Sequence, residues 1–233
     1  MLIGGFQKMT LIDYPGKIAT TVFTAGCNFR CPFCHNPELV TLSAEDIDIY
    51  KGKDEEFFRF LEKRKGLLDG VCITGGEPTV QPDIIPFIRK IKDMGFLVKL
   101  DSNGMRPEIL GQILHAGLID YVAMDIKNRL DRYAETVGVD MDVEKIGESV
   151  RLIMDSGVDY EFRTTVVPGI HVKEDFDGIA ALIKGAKRYY LQAFRNGKIL
   201  AQDDAAFGKG ERLDLAPIRE EMGRHIGEVG IRE

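Results

Sequence analysis

Short apolar runs alternate with longer amphipathic runs through most of this chain. The apolar runs have the length of β-strands and lie at 18–24, 71–74, 97–101, 121–125, 160–167 and 189–193. Between them, apolar side chains recur at the helical period in 54–65, 83–94, 107–116, 142–156 and 174–184. Strands that alternate with helices are typical of a parallel sheet covered by helices, so the pattern predicts an α/β fold.

The number of strand–helix units decides the architecture. Six units are fewer than the eight of a complete barrel, so we predict an open, partial (β/α)6 barrel of TIM-like form with its core at 18–194. The lead-in, 1–17, predicts a hairpin with a turn at Tyr14, Pro15 and Gly16. The extension, 195–233, predicts a short helix near 215–226. Because no repeat or linker is visible, we expect the whole of 1–233 to form a single domain.

Composition excludes several functional classes. The chain has 233 residues, of which 44% are hydrophobic and 29% charged, as in ordinary globular proteins. A net charge of −6 argues against nucleic acid as a partner. No apolar run approaches the roughly 18 residues of a membrane span, and the first residues lack the layout of a signal peptide. We therefore expect a cytoplasmic protein without membrane contact, whose thiols stay reduced.

Three cysteines follow the first predicted strand in one short segment. Cys27, Cys31 and Cys34 share the spacing of a helix face, but Pro32 disfavours helical geometry there. The segment is therefore predicted to be a loop that brings three sulfurs together. Three clustered thiols cannot all pair, so a disulfide framework is not expected. Thiolates hold iron–sulfur clusters, and three ligands on a four-iron cluster would leave one iron open.

Structural zinc is the main alternative for these cysteines. Its fourth ligand would be His35 or the distant Cys72. However, neighbouring residues such as Cys34 and His35 seldom reach the same ion. Cys72 lies in an apolar run and is expected to be a small buried side chain. The iron–sulfur interpretation is therefore favoured.

Polar or glycine-bearing segments also follow the other predicted strands. They are Gly75-Gly76-Glu77-Pro78, Asp101-Ser102-Asn103, Asp125 with Lys127, Arg163 on the fifth strand, and Gln192 with Phe194 at the end of the sixth. Each alone has a plain interpretation as a turn, a surface ion pair or a core position. Together they place polar groups at one edge of the sheet, where parallel α/β proteins bind ligands.

These motifs resemble those of a known family. The cysteine loop, with Phe33 before its third cysteine, resembles the radical S-adenosylmethionine (SAM) superfamily, and Gly-Gly-Glu-Pro resembles its SAM-amino-group motif. The run 31–38 is more similar to the activating enzymes of glycyl-radical enzymes. With the lead-in, residues 4–38 most resemble the activating proteins of anaerobic ribonucleoside-triphosphate reductases, and the other motifs extend the likeness to about residue 194.

The resemblance implies roles for individual residues. The three cysteines would hold one [4Fe–4S] cluster, whose fourth iron SAM would chelate. An additional monovalent cation would lie near Asp101, Ser102 and Asp125. The family commonly has a histidine for the ribose near the end of the sixth strand, where this chain has Gln192 and Phe194. The residues expected to contact SAM are Phe33, His35, Asn36, Gly75, Gly76, Glu77, Pro78, Asp101, Ser102, Asn103, Asp125, Lys127, Arg163 and Gln192.

The resemblance also implies an activity and partners. One electron from an external flavodoxin or ferredoxin would cleave SAM to methionine and a 5′-deoxyadenosyl radical. That radical would take a hydrogen atom from a glycine of a partner, expected to be an anaerobic ribonucleotide reductase. The cofactor carries the chemistry, so no catalytic side chain is expected beyond the cluster-bound SAM. A single cluster is expected because only Cys72 remains.

Three alternatives stay open at this stage. The target could be a formate-lyase-type glycyl enzyme. It could instead be a small molecule, as in 7-carboxy-7-deazaguanine synthases, since one scaffold hosts many reactions. A non-enzymatic metal or electron-transfer protein would explain the cysteines but not the motifs at the other strand ends.

Overall fold

The computed structural model describes residues 1–201 and 207–232. Eight strands form its sheet: β1 (Ile3–Thr10), β2 (Ala19–Thr24), β3 (Gly70–Gly75), β4 (Leu97–Ser102), β5 (Tyr121–Asp125), β6 (Asp159–Val166), β7 (Arg188–Ala193) and β8 (Glu228–Arg232). Eight α-helices connect or cover them: α1 (Ala44–Tyr50), α2 (Lys53–Glu62), α3 (Ile84–Asp93), α4 (Pro107–His115), α5 (Leu130–Val137), α6 (Glu144–Asp155), α7 (Asp175–Leu182) and α8 (Leu215–Met222).

The strands lie side by side in chain order. Strands β2 to β8 are parallel, and β1 runs antiparallel to β2. Within the described residues β1 and β8 each pair with one neighbour only, so the curved sheet stays open between them. The six predicted strands are β2 to β7, and the predicted α/β partial barrel is confirmed. The predicted hairpin is also present, with Lys17 N donating to Tyr14 O at 3.1 Å.

Three elements were not predicted from the sequence. They are α1, α5 and the terminal strand β8. Helix α1 has seven residues, and a reciprocal capping box between Ser43 and Asp46 fixes its start. The predicted helix near 215–226 is α8, which ends at Met222, and the chain then turns into β8. Segments this short give little periodic signal, so composition alone does not identify them.

The two faces of the sheet differ in chemistry. The outer face, toward the helices, carries apolar side chains such as Val98, Leu100 and Phe162, all fully buried in one hydrophobic core. The inner face, toward the barrel interior, carries Lys99 on β4 and Glu161 on β6, each at most 2% exposed. Complete barrels fill this space with layers of Val, Ile and Leu. A charged interior therefore marks this space as a site rather than a packed core.

The amino ends of the inner face are closed by aromatic packing. Tyr14 from the hairpin and Tyr121 from β5 lie with ring centroids 6.1 Å apart, together with Ala19 and Leu97. The opposite edge, where β2 to β7 end, carries the cysteine loop and the other predicted motifs. None of the helices in the described residues is long and apolar enough to cross a bilayer.

Candidate functional site

Backbone hydrogen bonds fix the cysteine segment as a loop. Gly26 N donates to Leu39 O at 2.7 Å, and Arg30 N donates to Val137 O at the end of α5 at 2.8 Å. Cys34 N donates back to Cys31 O at 3.0 Å, closing a tight turn around Pro32. The loop is therefore tied to two other segments, as the non-helical interpretation requires.

The three cysteines are free thiols that line one cavity of about 200 Å³. Burial raises the pKa of Cys27 to about 12, against a hydrogen bond from Phe29 N, and raises that of Cys31 to about 11, against the charge of Lys127. Thiols in such an environment stay neutral unless a cation stabilises the thiolate. A polynuclear metal centre would supply that stabilisation.

The predicted loop brings the three sulfurs to one cavity, but they do not converge on a site for a single metal ion. Across 1–201 and 207–232, no three His, Cys, Asp or Glu side chains are placed to hold one metal ion. A tetrahedral zinc site requires that convergence, whereas a four-iron cluster distributes its ligands over separate irons. Soft thiolate donors without a carboxylate among them also suit an iron–sulfur cluster. The donor set therefore fits the cluster that the motif implies.

Most of the residues expected to contact SAM line the same cavity. Those found there are Phe33, His35, Asn36, Gly75, Gly76, Glu77, Asp101, Ser102, Asn103, Asp125, Lys127 and Arg163. Pro78 and Gln192 do not. Pro78 starts a short 3₁₀ turn behind Glu77, and Gln192 lines an adjoining cavity.

Glu77 holds two strand-end loops together. Its carboxylate is 1% exposed and accepts hydrogen bonds from Thr79 N at 3.0 Å, Ser102 Oγ at 2.9 Å and Asn103 N at 2.6 Å. Burial raises the pKa of Glu77, and these hydrogen bonds oppose the shift. The carboxylate is thus largely occupied by the protein itself and positions the loops after β3 and β4.

The glycines before Glu77 are required by close backbone packing. A Cβ on Gly76 would lie 2.1 Å from Gly26 O, and Gly75 has a φ of +107°. No larger residue fits either position without moving the backbone. The paired glycines therefore let the end of β3 pack against the start of the cysteine loop.

A chain of alternating charges crosses the cavity. Arg163 Nη1 and Nη2 lie 3.3 Å from Asp101 Oδ2, and Arg163 Nε donates to Asp125 Oδ1 at 3.0 Å. Lys99 pairs with Asp101, and Lys127 Nζ donates to Asp125 Oδ2 at 3.0 Å. Burial opposes ionisation of both aspartates, but Arg163 and the adjacent lysines outweigh it and lower the pKa of each. All five groups are charged.

This pairing bears on the predicted monovalent cation. Arg163 already lies between the carboxylates of Asp101 and Asp125. A cation at that position would have to share both carboxylates with a guanidinium, which lowers their attraction for it. The cation site stays a prediction.

A segment after β7, residues 194–201, covers the cysteine loop. The ring of Phe194 stacks on His35 with centroids 5.6 Å apart, and His35 Nε2 lies 3.0 Å from Arg195 O. Leu200 N donates to Cys34 O at 3.1 Å, and Ala201 N donates to the carbonyl of Pro32 at 2.9 Å. Phe194 thus supports His35 rather than facing the cavity.

A second cavity of about 660 Å³ adjoins the first. Its lining shares His35, Asp101, Arg163 and Thr165 with the cysteine cavity. It also contains Gln192, and it extends along the inner face to the hairpin turn. The two cavities together occupy the barrel interior.

Sequence reasoning did not identify Lys99, Thr165, Glu161 or Arg232 as part of these cavities. Lys99 and Asp101 are two residues apart on β4, so they share the inner face, and that alternation was a usable signal. Arg232 belongs to the unpredicted strand β8. Its Nη1 and Nη2 donate to the two carboxylate oxygens of Glu161 at 2.7 and 2.8 Å.

His171 was also not identified, and it supports the cavity from behind. Its Nδ1 accepts from Val167 N at 3.0 Å, and its Nε2 lies 2.8 Å from Lys127 O. Because Nδ1 accepts, the proton belongs on Nε2 and the ring is neutral. Burial lowers the pKa of His171, against its hydrogen bond to Lys127 O. The neutral ring fixes the backbone that carries Lys127.

The chain is similar to proteins of one superfamily. The model of the radical SAM superfamily matches residues 21–183. A candidate glycyl-radical enzyme activating enzyme of Methanocaldococcus jannaschii is 37% identical over 99% of this chain and 95% of its own length. A pyruvate formate-lyase-activating enzyme of Clostridium pasteurianum is 28% identical over 91% of this chain and 87% of its own length.

Solved structures show the same fold at low identity. Streptococcus suis SuiB superposes with a TM-score of 0.61 at 16% identity, covering 90% of this chain and 47% of its own. Coproporphyrinogen III oxidase of Escherichia coli superposes with a TM-score of 0.59 at 18% sequence identity. The match covers 84% of this chain and 50% of the oxidase. This chain spans about half the length of either structure, so the likeness concerns the barrel.

Proposed function

Because its sequence matches the family model over residues 21–183, this chain belongs to the radical SAM superfamily, and we propose that it activates a glycyl-radical enzyme. In this proposal the chain removes a hydrogen atom from a backbone glycine of a partner protein. Membership of the superfamily implies a [4Fe–4S] cluster and SAM as cofactors.

One observation carries the proposal beyond the superfamily. The relative from M. jannaschii is 37% identical over nearly the full length of both chains, and it is named for glycyl-radical enzyme activation. The likeness therefore covers the whole inner face and not only the cysteine motif. The relative from C. pasteurianum, named for the activation of pyruvate formate-lyase, adds support.

The cavity supports the same cofactors. Cys27, Cys31 and Cys34 would hold the cluster, and the polar lining around Asp125 and Lys127 would hold SAM. When bound, the cluster and SAM supply the one-electron cleavage of the sulfonium and the carbon radical that takes the hydrogen atom from glycine.

The protein's own residues orient and enclose these groups. Arg163 holds Asp101 and Asp125, so the charges of the lining are fixed before a ligand enters. Glu77 fixes the loops after β3 and β4, and His171 fixes the backbone at Lys127. Such a prearranged polar wall replaces the hydration of a charged ligand and excludes water from a reactive radical. No side chain needs to act as a general acid or base.

The identity of the partner is a finer part of the proposal. The motif likeness at residues 4–38 favours an anaerobic ribonucleoside-triphosphate reductase, with an electron from flavodoxin or ferredoxin. A formate-lyase-type glycyl enzyme is the second candidate, favoured by the name of the relative from C. pasteurianum.

An electron paramagnetic resonance experiment tests the proposal. The protein, reconstituted anaerobically with iron and sulfide, would be mixed with SAM, dithionite and either candidate enzyme. We expect a glycyl-radical doublet with one of the two partners, together with 5′-deoxyadenosine. SAM cleavage with no doublet on either partner would contradict glycyl activation and favour a small-molecule substrate.

A further inference from the structure

The second cavity has no assigned ligand. It adjoins the cysteine cavity at Arg163 and Thr165, and it reaches Ile12 and Pro15 of the hairpin turn at its far end. Its volume of about 660 Å³ is within the range of sites that enclose a ligand. A ligand in this space would lie directly beside the proposed SAM site.

Two of the acidic groups that line this cavity, Asp101 and Glu161, are ion-paired, and a third, Asp13, accepts a hydrogen bond from Thr21 Oγ1. Asp101 is held by Lys99 and Arg163, and both carboxylate oxygens of Glu161 are held by Arg232. The ring of Tyr190 lies 3.6 Å from the Arg232 guanidinium, which further fixes that pair. Lys99, Arg163 and Arg232 are thus already neutralised, and an anionic ligand would have to displace a buried carboxylate to bind them. The fourth cation of the lining, Arg195, also has an interaction partner.

Two neutral polar side chains of the cavity, unlike these charged groups, have no partner among the described residues. Thr165 on β6 and Gln192 on β7 are paired residues of adjacent strands, and both line the second cavity. Neither side chain forms a hydrogen bond with any residue in the described ranges. A hydroxyl and a primary amide each donate and accept, which matches the N–H and C=O groups of a peptide backbone.

We propose that Thr165 and Gln192 bind the backbone of an extended peptide segment, the segment of the partner that carries the target glycine. The proposal rests on the proposed function, because it assumes a protein substrate. Thr165 lines both cavities, so a peptide bound there would place a neighbouring residue at the SAM site. Gln192 would then recognise the substrate and not the ribose of SAM, as its position outside the cysteine cavity suggests.

The test is a comparison of Michaelis constants in the reconstituted enzyme. The substitutions Thr165→Val and Gln192→Leu remove the polar groups at nearly constant volume. The partner is whichever candidate gives a glycyl doublet with the unaltered protein. We expect each substitution to raise the KM for the partner about 5- to 10-fold, as for the loss of one hydrogen bond, and to raise it more than the KM for SAM. Binding of the partner to the iron-loaded protein, measured by fluorescence anisotropy without SAM, should weaken by a similar factor.

Controls separate substrate recognition from a general structural effect. Gln112→Leu removes an exposed amide on α4, far from the inner face, and should leave both KM values unchanged. Gln192→Asn keeps the amide and should recover part of the partner affinity. Equal partner KM and affinity in all variants would overturn the proposal. A selective rise in the KM for SAM would overturn it in favour of a ribose contact.

Failure of the proposed function has a different signature. In that case the unaltered protein gives no doublet with either partner, and the peptide proposal falls with its premise. If the unaltered protein gives the doublet and the variants match it, glycyl activation stands and only the peptide site is refuted.

Discussion

The inner and outer faces of strands β4 to β6 are built from alternate residues of the same chain segments, yet they differ completely in chemistry. On β4 the outer side chains are Val98 and Leu100, and the inner ones are Lys99 and Asp101. The outer face gains stability from apolar burial, at about 25 cal/mol per Å². The inner face buries charges, which offsets part of that gain unless each charge is paired. The outer face of these strands therefore stabilises the fold, and the inner face carries the residues of the candidate site.

Loss of a proposed cluster ligand, Cys31, should give the largest effect on activity and should leave the packing of the outer face unchanged. Cys31→Ser is expected to lower iron retention and radical formation by more than about 100-fold, because the serine hydroxyl is a poor ligand for iron. Iron per chain and the glycyl doublet are the measurements. The matched control is Cys72→Ser on the inner face of β3, outside the cavity lining, which should retain its iron. Iron loss in both variants would contradict a specific role of Cys31, because the loss would then follow from any cysteine substitution on this side of the sheet.

Truncation of a large side chain on the outer face should affect stability most. Phe162 on β6 is fully buried, so Phe162→Ala is expected to lower the free energy of unfolding by about 3–5 kcal/mol. Urea denaturation of the metal-free protein measures this change. Leu67→Ala, at a side chain that is 64% exposed, should stay within about 0.5 kcal/mol. A small effect at Phe162 would refute the assignment of stability to the outer face.

Removal of the central guanidinium tests whether the inner charges are mutually paired. Arg163→Met leaves Asp101 and Asp125 with one lysine each and should lower the free energy of unfolding by about 2–3 kcal/mol near pH 7. This decrease is smaller than the one expected when a partner is removed from an ion pair that is wholly enclosed by protein, because these charges line a cavity open to solvent. Arg188→Met, at an arginine paired with the exposed Asp159, should change stability by less than about 1 kcal/mol.

The effect of Arg163→Met should also depend on pH. Arg163 and the lysines lower the pKa of both aspartates in the folded protein, so the stabilisation is present above the ordinary pKa of 3.8 and is lost as the pH falls below it. The difference between the two proteins should therefore shrink in acid. A difference that is constant between pH 7 and pH 3 would show that charge pairing is not its cause.

Protonation of His171, which lies behind the inner face, should have the smallest effect on the free energy of unfolding. The pKa of His171 is lowered from 6.5 by burial, so below about pH 6.5 the unfolded chain binds a proton that the folded protein does not. The free energy of unfolding should then fall by at most about 1.4 kcal/mol per pH unit, until the folded pKa is reached. Denaturation curves between pH 7.5 and pH 5.5 measure this slope. In His171→Asn the slope should flatten, and an unchanged slope would assign it to other groups.

Much of the fold could be predicted because the outer face obeys simple periodicity. Apolar runs located β2 to β7 within about two residues, and Gly95 and Gly117 marked helix ends. Strand β8 was missed because its residues Glu228–Arg232 contain one glycine and two charges. It is placed by pairing with β7, a tertiary contact that local pattern does not encode.

The site was predictable where motifs are local and not where partners are distant. Each motif, including the cysteine loop, is a short segment at the end of one predicted strand, and the parallel order of the strands assigned all of them to one edge. The pairing of Glu161 with Arg232 joins positions 71 residues apart, and the support of His35 by the backbone of Arg195 joins positions 160 apart. Physical rules for short segments do not reveal such partners, because only the closed fold brings them together.

The segment after β7 has a consequence for how the protein is assembled in the cell. The carbonyls of Pro32 and Cys34 receive hydrogen bonds from Ala201 and Leu200, which leave the ribosome long after the cysteines do. A growing chain can therefore display its thiols while the segment that locks their loop is still being synthesised. Iron that arrives before that moment would encounter a cysteine loop without these two hydrogen bonds. Iron that arrives later would encounter the loop in its final conformation. The order of synthesis thus leaves the cysteine loop without these two hydrogen bonds until residues 200 and 201 have emerged.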